Sequence, residues 1–138
     1  MSKKTRPPLD IERLRQDIVF RDSLLGHELE FHTTWGLFSP KAIDEGSRLL
    51  LEYLDVSSDD RAIDLGCGYG PLGLAIAKSA PAGHCLMVDK DFVAVEYANA
   101  NAAPYPEHPR RVREQIGRAV QQECRDRRLI SYAVFCLK

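Results

Sequence analysis

The sequence predicts an α/β fold built on a small doubly wound sheet, and three observations carry the prediction. A short apolar run, "RAIDL" at 61–65, opens onto a loop with glycines at 66, 68 and 70 and then a helix-spaced stretch, "PLGLAIAKSA". A second apolar run, "HCLMVD" at 84–89, leads into the alanine-rich "FVAVEYANANA". Strand, glycine loop, helix, strand and helix in that order imply a right-handed crossover and therefore two parallel strands. Ahead of them, Leu29 and Phe31 alternate with Glu28, Glu30 and His32, the two-residue period of a half-buried strand.

The elements follow in order. Residues 1–8 are polar, basic and end in Pro7-Pro8, so disorder is expected. In "LDIERLRQDIVF" the apolar residues 11, 14 and 18 have helix spacing, which predicts a short surface helix. The alternation in "FRDSLLGHELEFH" around Gly26 predicts a hairpin. Ser39-Pro40 has the composition of a helix start, with Ile43, Leu50 and Leu54 on one face behind it. "DVSSDD" reads as a polar loop, and Pro81-Ala82-Gly83 ends the helix that follows the glycine loop. "HCLMVD" reads as a strand buried on both faces.

The 138 residues suit one small domain, and an apolar share of 44 % is ordinary for a globular chain. The net charge of −1 predicts no strong general attraction to nucleic acid. It hides an asymmetry: residues 1–103 carry 11 basic against 16 acidic side chains, residues 104–138 carry 8 against 4. Cys67, Cys85, Cys124 and Cys136 form no CxxC pair and no zinc-spaced cluster, so no metal site is expected, and a reduced cytoplasmic compartment is the simplest reading. "MSKKTRPPLD" lacks the apolar core of a signal peptide, and no apolar run is long enough to span a membrane. Nothing in the sequence indicates the oligomeric state.

Glycines directly after a strand let the backbone turn sharply and let a ligand approach its N–H groups, and the next helix presents its positive end there. Three readings compete. One is a structural strand-to-helix turn. The second is a dinucleotide site: Gly68-Tyr69-Gly70-Pro71-Leu72-Gly73 formally matches GxGxxG with Asp89 downstream, but it begins four residues after Asp64, and the register from Gly66 puts Pro71 where the third glycine belongs. The third takes "DLGCGYG" whole, with Asp64 ending one strand and Asp89 the next, where a carboxylate can accept hydrogen bonds from a ribose diol. That pattern resembles the cofactor motif of class I methyltransferases, which bind S-adenosylmethionine (SAM). An acid at Asp64 suits the cationic SAM and repels a pyrophosphate.

The resemblance extends further. "LLGHELEFHTTWGLFSPKAIDEGSRLLLEYL", "AIDLGCGYGPLGLAIAKSAP" and "MVDKDFVAVEYANANA" are similar to the small-domain methyltransferases related to the small-subunit ribosomal RNA guanine-N2 enzyme, over roughly residues 23–103. The resemblance implies a Rossmann-like sheet preceded by a hairpin and helix, SAM as cofactor and RNA as substrate. Carried over residue by residue, Asp64, Gly66, Cys67, Gly68 and Gly70 cradle the methionine part and ribose, Asp89 takes the ribose hydroxyls, Lys90 lies beside the adenine, and Phe38 sits near the cofactor mouth. No side chain is assigned a covalent catalytic role, because in-line methyl transfer depends chiefly on positioning. Cys67 is read as a small loop residue, with no base placed to make it a nucleophile.

Family members continue past "NANA" with further strands and an Asn-Pro-Pro turn that holds the target amine. This sequence holds no Asn-Pro-Pro; it reads "PYPEHPRRVREQIGRAVQQECRDRRLISYAVFCLK", and the charge balance changes sign there. The expected division is therefore 1–8 disordered, 9–103 the N-terminal part of a methyltransferase domain, and 104–138 a non-family tail, irregular or helical, with a short helix over 112–123 and a strand in "LISYAVFCL". "VREQIGRAVQQECRDR" resembles a translated fragment of a mobile element such as the start of a group II intron. A two-stranded sheet with both long edges bare is expected to be marginal, so a truncated, impaired enzyme is the leading expectation. The alternatives are a non-catalytic remnant with a partial cofactor site, and a dinucleotide-binding module.

Overall fold

The computed structural model describes residues 10–14, 16–105 and 133–137. The expectations for residues 1–8 and for a helix over 112–123 lie outside them. A single helical turn, α1 (Ile11–Leu14), precedes the hairpin of β1 (Ile18–Leu24) and β2 (His27–Thr33). The helix expected up to residue 18 is thus cut short. Ile18 already pairs with Thr33, and the hairpin claims the segment from there. Its two-residue turn places both Leu25 (φ 51°) and Gly26 (φ 77°) in the left-handed region, the geometry that matches the twist of two antiparallel strands.

The hairpin's inward face is the one the alternation predicts. Leu29, Phe31 and Thr33 are buried, while the residues between them are half-buried. Phe20 and Phe31 lie with ring centroids 5.4 Å apart, and Tyr69 of the glycine loop meets both edge-on, at 6.1 and 5.8 Å.

Helix α2 (Glu45–Tyr53) starts later than the Ser39-Pro40 signal predicts. Asp44 is the cap: its carboxylate accepts from the Ser47 N–H at 3.0 Å and from the Ser47 hydroxyl at 2.7 Å. Ser39 has φ 48°, which removes it from any helix start, and residues 39–43 form a separate turn.

The central layer is a three-stranded sheet in the order β4–β3–β5, from β3 (Arg61–Leu65), β4 (His84–Val88) and β5 (Ala133–Leu137). β3 and β4 run parallel, as a right-handed crossover through α3 (Pro71–Ser79) requires. β4 is not buried on both faces: Cys85 and Met87 are buried, whereas His84, Leu86 and Val88 remain half-buried, because the helices cover one face of this edge strand better than the other. β5 corrects the expectation of a bare two-stranded sheet. It lies antiparallel along the other side of β3, Leu65 opposite Ala133 and Arg61 opposite Leu137, and makes β3 the middle strand.

Helix α4 (Phe92–Ala102) is capped by Asp91, whose carboxylate accepts from the Val93 N–H at 2.9 Å. Its buried face, Ala94, Val95, Ala98 and Asn101, turns toward the hairpin and the glycine loop. No helix among the described residues is long and apolar enough to cross a membrane.

Candidate functional site

The C-terminal ends of two parallel strands converge on the loop 66–70. Gly66 and Cys67 both donate to the Val88 carbonyl, at 2.7 and 3.0 Å, so the loop starts as a strap from β3 onto the end of β4. Gly68 then donates to Asp89 Oδ2 at 2.8 Å. Gly66, Gly68 and Gly70 have φ of 74°, 58° and 98°, a succession that side-chain-bearing residues adopt only under strain. Over Gly68 the space is open for at least 4 Å, whereas a Cβ on Gly70 would come within 3.2 Å of Met87 Sδ. Gly68 therefore leaves room for a ligand against the backbone, and Gly70 leaves room for the protein itself. Gly70 leads directly into Pro71, the first residue of α3.

Asp89 uses one oxygen on Gly68 and the other on the Asp91 N–H, at 2.9 Å. An ionised carboxylate has about four lone-pair sites, so two remain for a ligand's hydroxyls. Asp91, not Asp89, caps α4, which leaves Asp89 on the loop side.

Asp64 is the unusual group. Only 1 % of it is exposed, and its Oδ2 accepts from the Gly73 N–H at 2.9 Å. Its Oδ1 has no hydrogen-bond partner among the described residues. Burial pushes its pKa up to about 7; the Gly73 N–H opposes this, and the nearby Asp89 charge adds to it. A buried carboxyl oxygen left unpaired costs about 1–3 kcal/mol, and a cationic or hydrogen-bond-donating ligand removes that cost. The donor set thus fits a ligand with positive charge near Asp64 and a diol near Asp89, and it fits a pyrophosphate poorly.

Cys67 is buried, with Sγ 3.4 Å from the Gly68 carbonyl. Burial pushes its thiol up, and the Asp64 and Asp89 carboxylates push it further, so no thiolate nucleophile forms here. Among the described residues no group of His, Cys, Asp or Glu has the arrangement of a metal site.

The structure gathers the predicted residues at the C-terminal ends of β3 and β4: Gly66 and Cys67 bond Val88, Gly70 bonds Cys67, Gly68 bonds Asp89, and Asp64 bonds Gly73 in the first turn of α3. Lys90 is exposed in the turn after Asp89 and takes no part in those bonds. Phe38 is 63 % exposed rather than part of the core. It neighbours Ser39, whose carbonyl accepts from the Tyr69 hydroxyl at 3.0 Å, so residues 38–42 are tied to the glycine loop.

Three contributors escaped the motif reading. Gly73 supplies the N–H for Asp64 and must lack a side chain, since a Cβ there would stand 2.4 Å from Met87 Cγ. It is the last glycine of the GxGxxG hexad, so its signal was present but attached to the other ligand. Asn101, 2 % exposed, bonds the His32 N–H and carbonyl at 2.8 and 2.9 Å and the Tyr69 carbonyl at 2.9 Å. Tyr69 joins the loop to the aromatic cluster. Nothing in a single sequence marks the partners of these last two.

A family model described as the methyltransferase small domain matches residues 28–126. The ribosomal RNA large subunit methyltransferase G of Alteromonas mediterranea is 35 % identical over 79 residues, covering 57 % of this chain and 19 % of that protein. The ribosomal RNA small subunit methyltransferase C of Hamiltonella defensa is 36 % identical over 76 residues, covering 55 % of this chain and 23 % of that protein. Among solved structures, the T. thermophilus 16S rRNA guanine-N2 methyltransferase in complex with AdoMet and guanosine superposes with a TM-score of 0.58 at 31 % identity, over 71 % of this chain and 26 % of that one. The chain thus spans about a fifth to a quarter of the length of these relatives.

Proposed function

The chain belongs to the methyltransferase small-domain family, and from that premise we propose that its glycine loop is the SAM cradle of an RNA guanine-N2 methyltransferase. In this reading Asp64 faces the cationic methionine end, while Gly66, Cys67, Gly68 and Gly70 let the cofactor lie against backbone. Asp89 accepts the ribose hydroxyls, Lys90 flanks the adenine, and Phe38 stands at the mouth. The observation that carries it is a buried Asp64 oxygen without a partner among the described residues, together with Asp89 clamped onto Gly68, whose open side faces no protein atom among the described residues within 4 Å. The T. thermophilus structure is a complex with AdoMet and guanosine, which supports both the cofactor and the base class.

When bound, SAM would supply an electrophilic methyl carbon, the C–S bond breaking to a neutral thioether as an amine nitrogen bonds that carbon in line. This chain's own contribution is positioning: the strap onto Val88 and the Asp89–Gly68 bond hold the loop in one geometry. In this reading the chain binds the cofactor weakly and transfers its methyl group poorly, and a non-catalytic remnant with a partial site is the limiting case.

Calorimetric titration with SAM tests the reading. The expected result is saturable binding weaker than about 100 µM, lost by a further tenfold or more in Asp89→Ala. Micromolar binding by the monomeric folded chain overturns the weak binding expected here. Preference for a dinucleotide, or binding unmoved by Asp89→Ala, overturns the SAM cradle.

A further inference from the structure

Between β2 and α2 the chain makes a loop that is held tightly yet turns two large aromatic side chains outward. Its ends are closed by the Thr33 hydroxyl, which donates to the Pro40 carbonyl. Leu37, 8 % exposed, anchors its middle in the core, and the Leu37 N–H donates to the Thr34 carbonyl at 3.3 Å. Ser39 donates to the Ala42 carbonyl at 2.7 Å, and the Tyr69 hydroxyl donates to the Ser39 carbonyl. Ser39 nevertheless sits at φ 48°, where a side-chain-bearing residue is strained. Such strain persists where surrounding contacts over-determine the backbone, and it clusters at binding sites.

What the loop displays is Trp35, 39 % exposed, and Phe38, 63 % exposed. Lys41 places its ammonium 4.5 Å from the centroid of the Trp35 ring. Burying an aromatic ring is worth more than almost any other side-chain burial, so a rigid loop that keeps two of them in water forgoes that stabilisation. Two aromatic faces with an ammonium beside them are the chemistry that takes unpaired nucleobases: the rings stack and the cation meets the phosphates.

We propose that Trp35, Phe38 and Lys41 form a stacking platform for single-stranded RNA beside the glycine loop, seating bases that flank the one to be modified. The inference rests on the methyltransferase reading for the choice of RNA. The Tyr69 hydroxyl ties the loop that carries these side chains to the glycine loop. The weak overall charge of this chain is consistent with a grip made by stacking rather than by phosphate attraction.

Trp35 is the single tryptophan of the chain, so its emission reports on the platform alone. The experiment titrates the full chain with a single-stranded RNA decamer, its duplex form and an abasic decamer, while SAM binding is followed separately by calorimetry. Quenching and a spectral shift are expected with the single strand only. Phe38→Ala should weaken binding about tenfold and Lys41→Ala about threefold, both with unchanged circular dichroism. Trp35→Leu, followed by anisotropy of a labelled decamer, should lose tenfold or more. Equal response to duplex or abasic strands, no response in a folded sample, or an emission change that tracks self-association overturns the platform. RNA-dependent quenching in a chain that fails to bind SAM supports the platform and counts against the cradle. SAM binding without any effect of RNA does the reverse.

Discussion

Asp64 is an acid with a place for only one of its oxygens. Oδ2 rests on the Gly73 N–H while Oδ1 is unpaired among the described residues, and burial raises the pKa from 3.8 to about 7. Because the folded value lies above the unfolded one, the fold favours the protonated form. The corresponding stability is fully present below about pH 4 and is lost as pH rises toward 7, after which it levels. The slope approaches about 1.4 kcal/mol per pH unit within that window. Asp64→Asn removes this titration. The stability of the native chain relative to the variant should therefore fall between pH 4 and 7 in denaturant titrations, and a constant difference would show that Asp64 does not titrate there. Saturating SAM should shrink the fall, because a cation near the carboxylate lowers its pKa. At the same scale, Asn101→Ala strips three hydrogen bonds from buried backbone and should cost about 2–4 kcal/mol by chemical denaturation. The two residues differ in legibility for a physical reason. An acid at a strand end before a glycine loop is a local pattern, so Asp64 and Asp89 stand out. Asn101 earns its role from a strand 69 residues away, which no local pattern encodes.

Elements were legible where one face is apolar and a local cap or turn sets the limit. β2 follows its alternation, α3 starts at Pro71 directly after the glycine loop, and Asp91 caps the start of α4. The misplaced boundaries are those decided by tertiary contact. Ser39-Pro40 has a helix-start composition, but the Thr33 and Tyr69 hydroxyls claim the Pro40 and Ser39 carbonyls and hold a turn there instead. β4 depends on a second such contact. The Ala82 and His84 N–H groups donate to the Ser58 and Asp60 carbonyls, at 2.8 and 3.1 Å, which presses Gly83 against that turn. A Cβ at Gly83 would lie 1.8 Å from the Asp60 carbonyl oxygen, a backbone atom that cannot rotate away. Gly83→Ala should therefore displace the start of β4 and destabilise the chain by about 3 kcal/mol or more, measured by thermal unfolding. Gly68→Ala meets no atom of the described residues within 4 Å beyond its chain neighbours, so its cost is the left-handed backbone, about 1–2 kcal/mol. Comparing the two variants separates a glycine kept for packing from one kept for the loop.

At the scale of the whole molecule, the sheet's integrity turns on β5. Without it β3 would present Arg61–Leu65 as an open edge, with β4 its one paired strand among the described residues. An unpaired, flat strand edge is a template for another chain. The segment "LISYAVFCL" has the apolar run of a strand, but its partner and direction were not legible, because pairing between residues about 70 apart is a tertiary event. The antiparallel register in place, Asp64 opposite Val134, ties the tail to the strand that carries the buried acid. Deleting residues 133–138 should then act twice. It should lower the melting temperature by at least about 5 °C, since the loss of one short strand from a domain this size is worth a kilocalorie or more. It should also make the chain self-associate as concentration rises, because the freed edge of β3 pairs with its copy. Sedimentation velocity read against melting temperature separates the two effects. A truncated chain that stays monomeric with an unchanged transition would show that β5 does not cover the β3 edge in solution.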